Sequence, residues 1–249
     1  LDVSPLVSHR FPLAEAVKAY ETLIGDRSAL GIVLSYDGAT ASRIATGSAS
    51  RVVIGASGKV ATSGSAVLGV IGAGNYGSRV LIPALKAAGA VLDTVVSSSG
   101  VTSYHHGRKS GFNAASTDAR RDVFDNPAVN AGVIATRHDT HAGFACEALE
   151  AGKHAFVEKP LAIPPEQLDQ VEPAVQRAAA SGNPRILMIG FNRRFAPLAL
   201  RMRALFAAAP APKSIIYTVN AGVIPPEHWT QAPEVGGGRI VGEACHFID

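Results

Sequence analysis

Cysteine is scarce in this sequence: Cys146 and Cys245 are the two in 249 residues. Neither belongs to a Cys-x-x-Cys pair or to a cluster of cysteines and histidines. Disulfide frameworks and zinc sites need such clusters, so the sequence predicts neither, and no metal site is expected. Two isolated thiols are typical of a reducing compartment and predict a cytoplasmic protein in which both are small buried groups.

Long apolar runs, a signal peptide and basic clusters are also missing. A membrane-spanning helix needs about 20 consecutive apolar residues, and no stretch approaches that length. The net charge is only +3, without a lysine–arginine run interleaved with aromatics. We therefore expect neither a membrane nor a nucleic acid as partner. Apolar residues nevertheless make up 47% of the chain, enough for one large or two small domains with real cores.

A glycine-rich turn is the strongest pattern present. Residues 67–77 read Val-Leu-Gly-Val-Ile-Gly-Ala-Gly-Asn-Tyr-Gly, an apolar strand that enters the G-x-G-x-x-G spacing. In dinucleotide-binding sites the first glycine allows the tight turn, the second lets backbone approach the diphosphate, and the third lets a helix pack closely. A merely structural turn is the alternative. The residues predicted to bind the cofactor here are Gly72, Gly74, Asn75, Tyr76 and Gly77.

Apolar runs alternate with helical segments after this turn. The predicted strands are residues 91–96, 131–136, 154–157 and 186–190, with a weaker one at 112–115. The predicted helices are residues 80–88, 118–124, 141–151 and 165–180. Pro83 should kink the first of them because it removes a backbone hydrogen bond. The alternation predicts an α/β fold with a doubly wound parallel sheet.

Serines end the second predicted strand, where an acidic residue usually binds the ribose 2′-hydroxyl of NAD. Ser97 and Ser98, with Arg108 downstream, would suit a 2′-phosphate, which an aspartate would repel. We therefore favour NADP, with NAD as the alternative. Arg108 is otherwise a solvated helix residue.

Three further segments carry a family resemblance. Residues 135–141 read Ala-Thr-Arg-His-Asp-Thr-His, residues 151–161 read Ala-Gly-Lys-His-Ala-Phe-Val-Glu-Lys-Pro-Leu, and residues 190–195 read Gly-Phe-Asn-Arg-Arg-Phe. With the glycine turn, they closely resemble the Gfo/Idh/MocA family of sugar and inositol dehydrogenases over residues 66–249.

The resemblance implies a domain layout. A dinucleotide-binding Rossmann domain would occupy residues 66–190, and residues 191–249 would begin an α+β substrate domain with a mostly antiparallel sheet. Residues 213–220 would form one strand of that sheet. The rest of the sheet, which this chain lacks, would join subunits into a homo-oligomer.

Lys159 is the main catalytic candidate. It follows a predicted strand, at the edge where open α/β sheets bind ligands. Burial and a nearby nicotinamide cation would lower its pKa toward that of a general base, although an isolated lysine is more often a solvated charge. By resemblance it is the family's catalytic lysine, and the cofactor cleft is lined by Thr136, His141, Glu158, Lys159 and Pro160.

The segment 236–249 continues the resemblance with one departure. Family members commonly carry three glycines, an aspartate, a histidine four residues later, and another aspartate three beyond. His246 matches the histidine as a second catalytic residue, and Asp249 matches the last aspartate. Gly242 replaces the first aspartate, and Glu243 points about 100° away around a helix, so it is no simple substitute.

Weaker candidates concern the substrate. Arg193 and Arg194 would meet an anionic group or form a helix-start ion pair. Trp229 would stack on a sugar. Asp249 would orient His246 or cap local backbone.

The first 36 residues resemble the end of another protein. His-Arg-Phe-Pro-Leu at residues 9–13, a helix at 13–24 and a strand at 29–34 resemble the C-terminal tail of medium-chain zinc-type alcohol dehydrogenases. Residues 37–65, rich in Gly, Ala, Ser and Thr, are predicted to be a linker. Together the two resemblances suggest a bacterial bi-domain oxidoreductase; a helix and strand decorating the next domain is the alternative.

The leading hypothesis is NAD(P)-dependent hydride transfer between nicotinamide and a hydroxyl or keto carbon of a sugar, cyclitol or nucleotide sugar. One alternative is a non-catalytic dinucleotide-binding module of a fused dehydrogenase. Another is redox-assisted elimination or glycoside cleavage, known in this family, with a recycled cofactor.

Overall fold

The computed structural model describes residues 2–36, 50–55, 64–207 and 211–249. They belong to two compact units, Leu1–Ser50 and Arg51–Asp249. Most of the predicted linker, residues 37–49 and 56–63, lies outside the described residues. Within the described ranges, every helix is too short or too polar to cross a bilayer.

The first unit is a small β-α-β arrangement. Strand β1 (His9–Pro12) pairs in parallel with strand β2 (Ile32–Ser35), and helix α1 (Ala16–Gly25) connects them. The hydroxyl of Ser8 accepts the backbone N–H groups of Leu30 and Gly31 and so fixes the start of β2. Helix α1 and strand β2 correspond to the predicted helix and strand, whereas β1 was not predicted.

A seven-stranded sheet forms the centre of the second unit. Its strands, in chain order, are β3 (Arg51–Val53), β4 (Val67–Ile71), β5 (Val91–Val96), β6 (Ala114–Ser116), β7 (Ala131–Ile134), β8 (His154–Val157) and β9 (Leu187–Ile189). The spatial order is β3-β6-β5-β4-β7-β8-β9, and all neighbours are parallel except the antiparallel pair β3 and β6. The six parallel strands follow the 3-2-1-4-5-6 order of doubly wound dinucleotide-binding sheets, which confirms the predicted fold class. Strand β3 lies within the predicted linker.

The helices of the second unit are α2 (Ile82–Ala87), α3 (Gly100–Ser110), α4 (His141–Glu150), α5 (Leu168–Ala180), α6 (Pro197–Ala207) and α7 (Cys245–Ile248). The helix predicted at 118–124 is a single π-helical turn, Arg120–Phe124. Another π-helical turn, Gly77–Leu81, leads into α2, so Pro83 lies in the first turn of α2, where its missing N–H group is tolerated.

The prediction of a strand at residues 213–220 is wrong. These residues belong to no helix or strand and are exposed throughout. A strand exists only through hydrogen bonds to a neighbouring strand, and none of the residues that the structure describes pairs with this segment. Its apolar side chains remain on the surface instead.

The central strands are buried on both faces because helices cover both sides of the sheet. All five residues of β4 and all six of β5 are buried. Alternate side chains enter opposite cores: Leu68 and Val70 pack with Ile82 on one face, and Ile71 packs with Val123 on the other. The apolar run of β4 therefore marks the centre of the sheet, whereas β5 is buried although it contains Asp93 and Thr94.

Gly72 brings the loop after β4 against the loop after β7. Its φ is +100°, and a Cβ atom here would lie 2.3 Å from the carbonyl oxygen of Ala135. Its N–H group donates to Val96 at 2.8 Å. Both the backbone conformation and the close approach thus require glycine at position 72.

Replacing this glycine should destabilise the second unit strongly. We expect Gly72→Ala to lower the free energy of unfolding by about 2 kcal/mol or more, since it adds backbone strain and a clash with main chain. The matched control is Gly74→Ala, because a Cβ atom at position 74 would meet nothing within 4 Å. Urea denaturation followed by circular dichroism measures both, and equal stabilities of the two variants would contradict this role of Gly72.

Candidate active site

A cleft opens at the carboxyl ends of the parallel strands, where the loops after β4, β7 and β8 meet. It has a volume of about 600 Å³. Side chains from distant parts of the chain converge on it. They are Tyr76, Ala135, Thr136, His138, His141, Glu158, Lys159, Asn192, Arg193, Trp229 and His246.

The glycine turn has the features that a dinucleotide diphosphate requires. The helix that continues into α2 begins at Asn75, so its unpaired N–H groups and the positive end of its dipole lie at the turn. A Cβ atom on Gly74 would project into open space. A Cβ atom on Gly77 would lie 2.9 Å from the carbonyl oxygen of Gly72, so the helix packs tightly under the turn. These residues fit the cofactor that the motif predicts.

Lys159 lies directly after β8 and is half-buried. Its Nζ donates to the carbonyl oxygen of Gly242 at 2.5 Å. The Lys159–Pro160 peptide bond is cis. The lysine thus contacts the position where the resemblance leads one to expect an aspartate, but its partner there is a backbone carbonyl.

His141 joins two of the loops that form the cleft. Its Nδ1 lies 2.7 Å from the carbonyl oxygen of Pro160, and its Nε2 lies 3.2 Å from that of Thr136. Burial lowers the pKa of His141. A neutral ring donates only one of these hydrogen bonds, and the shorter contact indicates Nδ1 as the donor. The residue therefore holds the loop after β8 in place at the wall of the cleft.

Glu158 is a buried carboxyl beside the lysine, only 8% exposed. Burial raises its pKa to about 7, against the opposing effect of the Lys159 charge. Its Oε1 has no hydrogen-bond partner in the described part of the chain. Burial and the charge of Glu158 also raise the pKa of Tyr76, whose hydroxyl accepts a hydrogen bond from Asn192 at 2.8 Å. Glu158 therefore exchanges its proton near neutral pH.

His246 enters the cleft from the C-terminal segment. Burial, followed by the positive charges of Lys159 and Arg193, lowers its pKa to about 4. The imidazole is consequently neutral at pH 7. Asp249 does not orient it through a hydrogen bond, because its carboxylate pairs with Arg194, whose Nε donates to Oδ2 at 2.7 Å.

Trp229 lines the cleft in edge-to-face contact with His138, with 4.8 Å between the ring centroids. Nδ1 of His138 lies 2.8 Å from the carbonyl oxygen of Gly236. Neither His138 nor Asn192 was singled out from the sequence, although both line the cleft. The signal for Asn192 was its position just after β9, at the ligand-binding edge of the sheet.

Arg108 is not brought to the serines with which it was grouped. Ser97 and Ser98 follow β5 directly, whereas Arg108 lies in the last turn of α3, about 12 Å along the helix from its start. Its guanidinium carbon lies 5.9 Å from the centre of the Tyr104 ring. This geometry does not support a direct contact between Arg108 and a 2′-phosphate held by the serines.

The burial of Glu158 makes stability depend on pH. Its pKa is higher in the folded chain than in the unfolded chain. Burial of this carboxyl therefore costs no stability below about pH 4.5, and the folded state becomes less stable as the pH rises toward 7. Glu158→Gln should remove that loss. Its free energy of unfolding, relative to that of the wild type, should therefore rise by up to about 3 kcal/mol from pH 5 to pH 8. Urea denaturation at both pH values measures the change.

Glu166→Gln is the control for this prediction, because Glu166 is exposed on the surface. Its stability should follow that of the wild type at both pH values. If Glu158→Gln also followed the wild type, the carboxyl would not be held in the environment described.

Comparison with known proteins agrees with this geometry. The family model Gfo/Idh/MocA, described as an oxidoreductase family with an NAD-binding Rossmann fold, matches residues 67–191. The chain is 28% identical over 185 residues to 1,5-anhydro-D-fructose reductase of Ensifer adhaerens, covering 73% of this chain and 54% of that protein. It is 32% identical over 193 residues to inositol 2-dehydrogenase 2 of Saccharopolyspora erythraea, covering 73% and 51%. The chain thus spans about half the length of these curated relatives.

Solved structures share the same fold. An oxidoreductase domain protein from Kribbella flavida superposes with a TM-score of 0.63 at 26% identity, covering 73% of this chain and 50% of that one. Levoglucosan dehydrogenase in complex with NADH gives a TM-score of 0.60 at 25% identity, covering 74% and 52%. The sheet order, the glycine turn and the matched residues together show that the chain belongs to the Gfo/Idh/MocA family of oxidoreductases with an NAD-binding Rossmann fold.

Proposed function

We propose that the chain is the cofactor-binding part of an NAD(P)-dependent dehydrogenase. The enzyme transfers a hydride between nicotinamide and a hydroxyl or keto carbon of a sugar, cyclitol or nucleotide sugar. The observation that carries the proposal is the convergence of Lys159 and His246 on one cleft that begins at the glycine turn. The names of the relatives, which include an anhydrofructose reductase and an inositol dehydrogenase, support this substrate class.

Different residues of the cleft would have different roles in the oxidation of an alcohol. The bound nicotinamide would supply the hydride acceptor, and the backbone amides of residues 72–77 would hold the diphosphate. Lys159 and His246, which both line the cleft, would manage the hydroxyl proton, with Lys159 as the general base that the sequence predicts.

One specific observation favours a second function. Lys159 donates to a backbone carbonyl at Gly242, where the resemblance leads one to expect a carboxylate. A cleft without that carboxylate would suit a module that binds cofactor without turnover.

The wider organisation is part of the same proposal. We propose that residues 1–36 are the C-terminal tail of a medium-chain zinc-type dehydrogenase domain, supported by helix α1 and strand β2, which follow His9-Arg10-Phe11-Pro12-Leu13. Residues 191–249 would belong to the substrate domain, whose sheet would form a homo-oligomer. Two free cysteines support a cytoplasmic location.

Removing the lysine tests the main proposal. Lys159→Met in the intact protein should abolish turnover, a loss of at least about 1,000-fold in kcat, while cofactor affinity stays within about threefold, because Lys159 acts on the reacting oxygen. Lys18→Met, at an exposed position of α1, should behave as wild type. Cofactor fluorescence titration and NAD(P)H absorbance are the measurements. Unchanged turnover in Lys159→Met would refute the catalytic role.

The cofactor preference is tested separately. We expect NADPH to bind more tightly than NADH, because Ser97 and Ser98 leave the end of β5 without a carboxylate that would repel the 2′-phosphate. Parallel fluorescence titrations with the two cofactors measure the ratio. Tighter binding of NADH would overturn the preference for NADP and leave the dinucleotide site itself intact.

A further inference from the structure

A second pocket adjoins the cleft and contains three arginines. It has a volume of about 410 Å³ and is lined by Arg193, Arg194, Ala199, Arg203, Tyr217, His246, Phe247 and Asp249. Two of these residues, Arg193 and His246, also line the active-site cleft. The two spaces are therefore neighbours. We call this second space the arginine pocket.

Two of its three guanidinium groups lack an acidic partner. Asp249 pairs with Arg194 through both carboxylate oxygens. Arg193 and Arg203 make no salt bridge or side-chain hydrogen bond among the residues that the structure describes. The guanidinium carbon of Arg193 instead lies 4.6 Å from the centre of the Phe247 ring. Their N–H groups remain free to meet a ligand.

The positive charge of this region extends into the active site. His246 stands between the two spaces, and the charges of Lys159 and Arg193 are among the causes of its low pKa. A neutral His246 adds no repulsion for the arginines and supplies no negative charge to balance them. An anion would neutralise this excess, whereas an uncharged sugar would leave it in place.

Building on the proposed dehydrogenase function, we propose that the substrate carries an anionic group, a phosphate or a carboxylate, that binds Arg193 and Arg203 in the arginine pocket. The reacting carbon of the same molecule then lies in the cleft beside Lys159. Planar guanidinium groups match the oxygens of both anions in paired hydrogen bonds. This class, a sugar phosphate or a sugar acid, differs from the uncharged anhydrofructose and inositol in the names of the relatives.

The experiment compares ligands that differ only in charge. Isothermal titration of the chain with glucose, glucose 6-phosphate, glucuronate and inorganic phosphate measures binding without requiring turnover. We expect at least tenfold tighter binding of one anionic sugar than of glucose, and a loss of that advantage in 0.5 M salt. A preference for glucose 6-phosphate over glucuronate, or the reverse, identifies the anion.

Matched variants identify the site. Arg203→Gln should weaken binding of the preferred anionic sugar at least tenfold and leave the affinity for glucose unchanged, because Arg203 lines the arginine pocket but not the cleft. Arg193→Gln should also weaken binding of the anionic sugar at least tenfold. Arg201→Gln, on the same exposed helix α6 but outside the pocket lining, should change both affinities less than twofold. Equal affinities for glucose and the anionic sugars, or equal effects of the Arg203 and Arg201 variants, would overturn the inference.

Turnover assays separate this inference from the proposed function. If uncharged sugars are oxidised and anionic sugars gain no advantage, the dehydrogenase stands and the anionic substrate class is wrong. If Arg203-dependent anion binding occurs without hydride transfer to any sugar tested in the intact protein, the dehydrogenase proposal fails and the arginine pocket stands as an anion site.

Discussion

The contact between the loops after β4 and β7 is the constraint on which the site depends. These strands are adjacent at the point where the strand order reverses, and there the loops diverge and open a crevice. Gly72 lets one loop turn sharply while it lies against Ala135 of the other. The helix start at Asn75 and the cleft wall at Thr136 follow from that turn.

Electrostatics organise the cleft around a single lysine. Burial is the largest cause of the low pKa of His246 and of the high pKa of Glu158; the charge of Lys159 adds to the first effect and opposes the second. The result is a positive region with a neutral imidazole and a carboxyl that titrates near neutral pH. Such a combination suits chemistry in which a proton and a negative oxygen must be handled together.

The fold was predictable because its signals are local. Strands β5 and β8 have the bounds predicted from the sequence, because apolar residues predominate in both. Strand β3 was missed because it is three residues long and paired only at one edge. The prediction of a strand at 213–220 was wrong for the opposite reason. Its composition is typical of a strand, but no described strand pairs with it.

The site was predictable only in part, because several of its contacts join residues that are distant in sequence. The motifs identified Lys159 and His246, and both reach the cleft. The hydrogen bond from Lys159 to Gly242 spans 83 positions, and the pairing of Arg194 with Asp249 spans 55. The sequence motifs place these residues in the same region, but they do not determine which residues form hydrogen bonds with them.

A crystal structure of the chain with bound NADPH tests the central claim most directly. The account predicts density for the diphosphate against the backbone amides of residues 72–77, with the nicotinamide ring in the cleft beside Lys159. A dinucleotide bound at another surface, or one whose nicotinamide points away from Lys159, would contradict it.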